Sequence, residues 1–323
     1  MSIEKNHSYD HVETKSQVSQ NLLDEFQKIV DQESAKRHWD KIISINKLYE
    51  AKAHLSVSGK YWNPKSQHFL KANNNKLCKK IFDLSKTLLY LKQVYYFILA
   101  EAKKGRKVLF VSTDDKADIK DFIKQKCLET NSYFVNNRWL GGTLTNFKTI
   151  NLSIKKFNNL LALKESEDWK KYSKKEQIAM QKQIDKLDKF IGGIAPITRS
   201  SIAGRYANNV NLNNAIGLMI VDDYVREKNA IIDAKKLGIP VVALGNSNCF
   251  PGDNVDFFIP CNTNSYHTIW LIFSVFFDAI NVANGKQPVV VNADDTSIRL
   301  PENKPRVLEE VKIISNKKIT PTI

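Results

Sequence analysis

The sequence predicts an α/β fold, in which a mostly parallel sheet is flanked by helices and carries a protruding antiparallel helical hairpin (coiled coil). In the centre of the chain, short apolar runs typical of buried strands alternate with amphipathic helical segments. Between the second and third of these runs lies a polar segment with apolar residues at helical spacing on both sides of a break. The chain has 323 residues, 42% of them hydrophobic, which is enough to bury a sizeable core.

Five apolar runs are predicted strands because they are short and are separated by turn residues or helical segments. They occupy residues 107–113, 132–136, 215–221, 240–244 and 256–260. Helices are predicted at 116–130, 229–237 and 267–283. The longest apolar runs, such as residues 269–277, fall well short of the roughly 18 residues that a membrane span needs, so we expect no transmembrane helix.

The hairpin is predicted to consist of two helices, at residues 149–164 and 174–191. Ser173 followed by Glu176 has the pattern of a capping box, which indicates where the second helix begins. Ten lysines lie between positions 155 and 189, and they predict either a solvated face or an RNA or protein contact. The apolar positions that define the two helices are Ile150, Ile154, Phe157, Leu161, Ile184, Leu187 and Ile191.

These elements divide the chain into five parts. Residues 1–43 are a partly helical N-terminal extension, 44–148 and 192–287 are two parts of one α/β domain, 149–191 are the hairpin, and 288–323 are an extended C-terminal tail. The first 20 residues are polar and include acidic side chains, so we expect neither a secretory signal nor an organelle presequence.

Positive charge is concentrated in the middle of the chain. The whole sequence has 49 basic and 34 acidic residues, a net charge of +15. Residues 1–45 carry −2 and residues 288–323 carry +1, which leaves +16 for the part between them. Such a field predicts a polyanionic partner, with charge-based solubility as the alternative.

Acidic residues at the predicted strand ends suggest a second class of protein, an enzyme. It would be a metal-dependent phosphohydrolase that uses Asp114 and Asp222. Carboxylates at the carboxyl ends of parallel strands can hold a divalent cation. We favour the alternative that these two residues and their neighbours Asp115 and Asp223 are loop acids or helix N-caps. The sequence has no glycine-rich phosphate loop, no nucleophile elbow and no C-x-x-C, so we expect no catalytic residue, no metal and no cofactor.

Two segments have the residue types of an RNA contact: residues 60–65, here named the aromatic loop, and residues 136–148, the glycine loop. Their amides, hydroxyls and cations can bind phosphates and ribose hydroxyls, and aromatic rings can stack on unpaired bases. For Trp62 and Trp139 the alternative is a role as core anchors. The candidate RNA-binding residues are Lys60, Tyr61, Trp62, Asn63, Lys65, Arg138, Trp139, Thr143, Thr145, Asn146 and Lys148.

Residues 137–150, Asn-Arg-Trp-Leu-Gly-Gly-Thr-Leu-Thr-Asn-Phe-Lys-Thr-Ile, resemble the most diagnostic segment of the ribosomal protein S2 family. Other segments are similar to the family in the same order, and the resemblance spans about residues 44–284. It implies a structural, non-catalytic constituent of the small ribosomal subunit that serves translation. It also implies a place on the solvent side between head and body, with small-subunit rRNA and neighbouring ribosomal proteins as partners. The other similar segments are 48–65, 107–113, 188–194, 230–240 and 256–262.

Further candidate RNA contacts lie outside the two loops. Lys155 and Lys156 would extend the basic patch along the hairpin, and Arg199 and Arg205 lie in a stretch, 195–210, that looks longer than in the family. The chain also departs from the family pattern, with Val57 in place of a second histidine in the opening loop, Asn213-Asn214 in place of Pro-Asp, and Asp233 in place of a glutamate.

The cellular location is predicted from composition. The chain has 41 Lys and 30 Asn but only 8 Arg, which indicates an AT-rich coding genome. With the terminal extensions and the expected absence of a presequence, this predicts a mitochondrial ribosome, with a plastid or the bacterial cytoplasm as alternatives. The near-neutral extensions are predicted to bind lineage-specific ribosomal proteins. A protein-binding scaffold outside the ribosome is a further alternative for the hairpin.

Overall fold

The structure is a computed structural model, and it describes Trp39 and residues 42–71, 79–114, 117–195, 215–250 and 252–286. In these residues the helices are α1 (Ile45–Glu50), α2 (Leu84–Lys103), α3 (Ala117–Glu129), α4 (Phe147–Glu165), α5 (Lys174–Ile191), α6 (Lys228–Lys236) and α7 (Tyr266–Ala283). The strands are β1 (Leu55–Ser58), β2 (Lys79–Ile81), β3 (Lys107–Val111), β4 (Tyr133–Val135), β5 (Ile216–Val221), β6 (Val241–Gly245) and β7 (Phe257–Pro260). Short 3-10 helices lie at Pro64–Phe69, Glu167–Lys171 and Gly252–Asn254.

The main sheet has five strands in the order β4-β3-β5-β6-β7, and every neighbouring pair is parallel. This confirms the predicted α/β class, and the five predicted strands are found with bounds that differ by at most two residues. The strand order reverses between β3 and β5, which makes the crevice beyond their carboxyl ends the usual ligand position in such a sheet. Strands β1 and β2 form a separate antiparallel pair.

Both faces of the sheet are buried because successive side chains of a strand point to opposite sides. In β3, Val108 and Phe110 belong to the larger core, under α2, α3 and α7. Leu109 and Val111 belong to a second core that includes residues of α6 and the glycine loop. Phe110 stacks on Phe277 of α7 with ring centroids 4.5 Å apart. Continuous apolar strands are therefore explained by burial on two sides.

Helix α7 is, among the described residues, the one long and apolar enough to cross a membrane by length and composition alone. Eleven of its residues are buried against the sheet and α2. Its apolarity is accounted for by this core position.

Helix α2 and the β1–β2 pair were not predicted from the sequence. The six consecutive residues 94–99 of α2 are all buried, so the apolar residues do not show the one-sided period of an amphipathic helix. Trp39, Ile42 and Ile43, which the prediction assigned to the N-terminal extension, are buried in the larger core, where Trp39 contacts Tyr95 edge-on. The rest of that extension, residues 196–214 and the tail beyond residue 286 lie outside the described residues.

The two predicted hairpin helices are present as α4 and α5, and α4 begins two residues earlier than expected. Their facing side chains form a small separate core that contains Ile154, Phe157, Ile184 and Ile191. A 3-10 helix at Glu167–Lys171 connects them. Coiled-coil supercoiling of the pair stays a prediction.

Replacing Ser173 with alanine is expected to lower the free energy of unfolding by about 1 kcal/mol. The Ser173 hydroxyl accepts the Glu176 backbone N–H, and the Glu176 carboxylate accepts the Ser173 backbone N–H in return. The substitution leaves the Glu176 backbone N–H without its side-chain acceptor, whereas the backbone N–H of residue 173 can still donate to the Glu176 carboxylate. Chemical denaturation measures the effect, and Ser166→Ala is the control, because Ser166 precedes the connecting 3-10 helix without a capping bond. Equal losses for the two variants would contradict the prediction.

Candidate nucleic-acid interface

The aromatic loop is fixed to the carboxyl edge of the main sheet. Asn63 caps the 3-10 helix Pro64–Phe69, since its side-chain oxygen accepts the Lys65 backbone N–H at 3.0 Å. The backbone N–H of Asn63 donates to the carbonyl of Ser247, just beyond β6, at 2.7 Å. Asn63 therefore shapes the loop through both its side chain and its backbone.

The two aromatic rings of this loop have different environments. Trp62 is half-buried against the cluster of Phe69, Leu70 and Phe82, and the Nζ of Lys80 lies 4.6 Å from its ring centroid. Tyr61 is 67% exposed, and its ring is available to a base. The aromatic loop thus has one anchoring ring, Trp62, and one ring that can stack, Tyr61.

The glycine loop leaves β4 and enters α4. Leu144 in its middle is buried in the second core, and Thr143 is 3% exposed, with its hydroxyl donating to the carbonyl of Leu140. Gly142 has a φ of +83°, a conformation that side chains rarely adopt. The loop is therefore folded around an inward-pointing centre, and Thr143 does not face solvent.

A single carboxylate, that of Asp233 in α6, accepts three hydrogen bonds from the glycine loop. The indole N–H of Trp139 and the backbone N–H of Gly142 donate to its Oδ2 at 3.2 and 2.8 Å. The Thr145 hydroxyl donates to its Oδ1 at 3.3 Å. Asp233 was not among the predicted functional residues. Its only sequence signal was its departure from the glutamate usual in the family.

Cations and amides remain on the outside of the glycine loop and the start of the hairpin. Arg138 and Lys148 are exposed, as are Lys155 and Lys156 on α4. Asn146 is exposed too, with its side-chain oxygen accepting the Thr149 hydroxyl at 3.0 Å. Arg199 and Arg205 lie outside the described residues.

Both loops are attached at the carboxyl edge of the sheet. The glycine loop follows β4, and the aromatic loop bonds through Asn63 to Ser247, just beyond β6. Three strand spacings separate β4 from β6 in the sheet order, so these attachments are about 14 Å apart. One edge of the fold therefore carries both predicted recognition loops.

The acidic residues proposed for phosphoester chemistry form an ion-pair cluster at the same edge. The guanidinium of Arg226 lies between the carboxylates of Asp114 and Asp222, with Nη1 3.3 Å and 3.6 Å from their oxygens. Ser112 donates to Asp222 at 2.6 Å, and burial raises the pKa of Asp222 to about 7. A cation thus already bridges the position where a metal would bind. Nothing in this geometry supports the phosphohydrolase.

The neighbouring Asp223 accepts the backbone N–H groups of Val225 and Arg226 at 2.8 and 3.3 Å. This is the loop-stabilising role that we favoured for it. Asp115 lies outside the described residues. Within the described ranges, no group of three or more His, Cys, Asp or Glu side chains is arranged to hold a metal ion.

Comparison with known proteins gives a consistent family assignment. The sequence model of the family "Ribosomal protein S2" matches residues 48–283. The chain is 40% identical to the small ribosomal subunit protein uS2 of Ureaplasma urealyticum over 281 residues, which cover 87% of this chain and 75% of that protein. It is 35% identical to the uS2 protein of Malacoplasma penetrans over 270 residues, covering 81% of this chain and 68% of the relative.

These relatives are bacterial, so the mitochondrial prediction gains no support from them. The predicted family is confirmed, since the match covers most of the chain and includes both loops, the sheet and the hairpin. The chain therefore belongs to the ribosomal protein S2 family, a family of structural constituents of the small ribosomal subunit.

Proposed function

We propose that this protein serves the small ribosomal subunit as a non-catalytic architectural component that binds small-subunit rRNA and neighbouring ribosomal proteins. The observation that carries the RNA contact is the exposure of Arg138, Lys148, Lys155 and Lys156 around a glycine loop whose apolar centre is packed into the core. Cations on a rigid support bind RNA by displacing counterions from phosphates and by matching shape.

The proposed contact set is narrower than the candidate set from the sequence. Lys60, Lys65, Arg138, Lys148, Lys155 and Lys156 are proposed to contact phosphates, and Tyr61 to stack on an unpaired base. Asn146 is proposed to bind ribose or phosphate through its exposed amide. Trp62, Asn63, Trp139, Thr143 and Thr145 bond or pack within the protein and are proposed to shape the loops.

Removing the two cations of the glycine loop, Arg138 and Lys148, is expected to weaken binding to the small subunit. It should also make that binding less sensitive to salt concentration. The probe is the Ureaplasma urealyticum small subunit depleted of its own uS2, and binding is measured by co-sedimentation at several salt concentrations. The double variant Arg138→Ala/Lys148→Ala should reduce the slope of log K against log salt concentration by about 1.4 to 1.8, the loss of two phosphate contacts.

Lys124→Ala is the matched control for this experiment. Lys124 is an exposed lysine of α3, the helix that covers the opposite face of the sheet from the glycine loop. The Lys124→Ala variant should leave the slope of log K against log salt concentration unchanged. Equal slopes for wild type and the double variant would refute the role of these cations. Release of phosphate from a phosphoester in the presence of Mg²⁺ would refute the non-catalytic role.

We further propose a bacterial rather than a mitochondrial ribosome as the location, because both organisms named above are bacteria. The terminal segments are proposed to bind lineage-specific ribosomal proteins. In support, the alignment with the Ureaplasma protein covers 87% of the chain, which is more than the family model matches. Part of the added sequence is therefore shared within that group. Crosslinking of residues 1–43 mainly to rRNA would count against this assignment.

A further inference from the structure

We propose that Asp233 is a positioning residue for RNA binding, whose buried carboxylate holds the glycine loop in the shape that presents Arg138 and Lys148 to rRNA. This inference rests on the proposed function. It concerns a residue that is 94 positions away from Trp139 in the sequence and lies in α6, whereas Arg138 is in the glycine loop and Lys148 is in α4. Asp233 itself would not touch the RNA.

The geometry of the carboxylate supports this role. Its two oxygens receive donors of three kinds: the indole N–H of Trp139, the backbone N–H of Gly142 and the hydroxyl of Thr145. A carboxylate has about four acceptor positions, so one group can hold three points of a seven-residue stretch. Hydrogen bonds to an ionised acceptor are roughly twice as strong as neutral ones.

The support behind Asp233 is rigid. Asp233 is 6% exposed, and its neighbours Ala230, Ile231 and Ala234 are buried in the second core. Leu144 of the glycine loop belongs to the same core. The loop is thus held by the apolar packing of Leu144, Trp139 and Phe147 and by three hydrogen bonds to Asp233, and a loop held in this way loses less entropy on binding.

Both cations are close in sequence to residues that Asp233 holds. Arg138 directly precedes Trp139, and Lys148 follows Thr145 by three residues, in the first turn of α4. Both side chains are exposed, whereas the Asp233 carboxylate lies behind the loop. A shift of the loop would therefore change the spacing of the two positive charges relative to two phosphates.

Two substitutions separate positioning from plain electrostatics. Asp233→Asn removes the charge but keeps the shape: its amide oxygen can accept from Trp139 and Gly142, and its NH2 can donate to Thr145. Asp233→Ala removes charge and acceptors together. If Asp233 were only a negative charge near RNA, both variants would bind subunits more tightly and to the same extent.

The experiment measures co-sedimentation of each full-length variant with Ureaplasma urealyticum small subunits depleted of uS2, at several salt concentrations. We expect Asp233→Asn to bind within about threefold of wild type and Asp233→Ala about tenfold more weakly. The salt slope of Asp233→Ala should fall by about 1, because at least one phosphate contact is lost. Amide hydrogen exchange in residues 136–148 should rise in Asp233→Ala only.

Controls keep the result interpretable. Glu101→Ala removes another buried carboxylate, which pairs with Lys104 and Arg106 at the opposite end of β3, and it should lower stability without changing the salt slope. Trp139→Phe removes one donor. In the Asp233→Ala background it should have no additional effect on binding, because the bond is already lost.

Equal binding by Asp233→Asn and Asp233→Ala would overturn the proposal, as would additive effects of Trp139→Phe and Asp233→Ala. If Asp233→Ala does not fold, the same measurements are made on the single variant Trp139→Phe. An unchanged salt slope together with unchanged amide hydrogen exchange in residues 136–148 of that variant would overturn the proposal. Failure of the wild-type chain to bind depleted subunits would instead contradict the proposed function.

Discussion

Replacing Asp222 with asparagine is expected to remove the contribution of this buried carboxyl group to the pH dependence of the protein's stability. Asp222 is 2% exposed at the carboxyl end of β5, and burial raises its pKa from 3.8 to about 7. The Ser112 hydrogen bond and the positive charge of Arg226 oppose this rise, and the negative charges of Glu227 and Asp223 add to it. Burial also raises the pKa of Glu227.

The direction of the effect follows from proton binding. Between about pH 4 and pH 7 the unfolded chain has released the Asp222 proton, whereas the folded chain still holds it. Asp222 therefore favours the folded state at low pH, and this contribution is lost as pH rises through the folded-state pKa. The total change in the free energy of unfolding that Asp222 contributes is at most about 4 kcal/mol. Asparagine does not titrate, so the stability of the Asp222→Asn variant does not fall with rising pH through this group.

The measurement is urea denaturation of wild type and Asp222→Asn from pH 4 to pH 8. The free energy of unfolding of the variant, relative to wild type, should rise with pH and become level above about pH 8. Glu129→Gln is the control, because Lys126 lowers the pKa of Glu129 on the surface. The free energy of unfolding of Glu129→Gln, relative to wild type, should change little with pH, and it should fall rather than rise as pH increases. A constant difference between Asp222→Asn and wild type would show that Asp222 is ionised in the folded protein throughout.

Replacing Gly193 with alanine is expected to lower the free energy of unfolding by about 3 kcal/mol, the upper end of the usual range for overpacking. Gly193 lies where the chain returns from the hairpin to the sheet, and its carbonyl accepts the backbone N–H of Phe134 in β4. A Cβ at this position would overlap the Phe134 carbonyl oxygen and lie 2.7 Å from atoms of the Phe134 ring. A strand backbone in a sheet cannot move aside without losing its hydrogen bonds.

Gly141→Ala is the matched control, since a Cβ on Gly141 would meet nothing within 4 Å and its φ is not positive. This variant should change stability by less than about 0.5 kcal/mol. Comparable losses for both variants would mean that the approach of Gly193 to β4 is not tight. Selective loss for Gly193→Ala would show that the chain after α5 approaches β4 too closely to admit a side chain.

Much of the fold was predictable because its signals are local. The strands of the main sheet are short apolar runs, and Ser173 and Glu176 specify the start of α5 by themselves. Helix α2 was missed for the opposite reason. It packs against both the sheet and α7, so it is buried nearly all round over residues 94–99, and a buried helix has no polar face to reveal its period.

The candidate site was predictable at the level of segments but not of side chains. Composition identified both loops, yet Tyr61 and Trp62 are adjacent aromatic residues, and only packing against Phe69, Leu70 and Phe82 makes Trp62 the anchor. Thr143 and Thr145 are similar in sequence, but one is buried and the other bonds to α6. Such differences depend on which distant elements lie behind the loop.

The sequence alone determined the α/β class, the helices α4 and α5, the concentration of positive charge in the middle of the chain and the family, because these depend on residue type and spacing. The tertiary structure decided which polar groups face solvent and which are held inside. It brought Asp233 to the glycine loop, Arg226 between Asp114 and Asp222, and Gly193 against Phe134. Apart from Arg226 and Asp222, which are four positions apart, these contacts join residues far apart in the chain, and local sequence patterns do not encode such contacts.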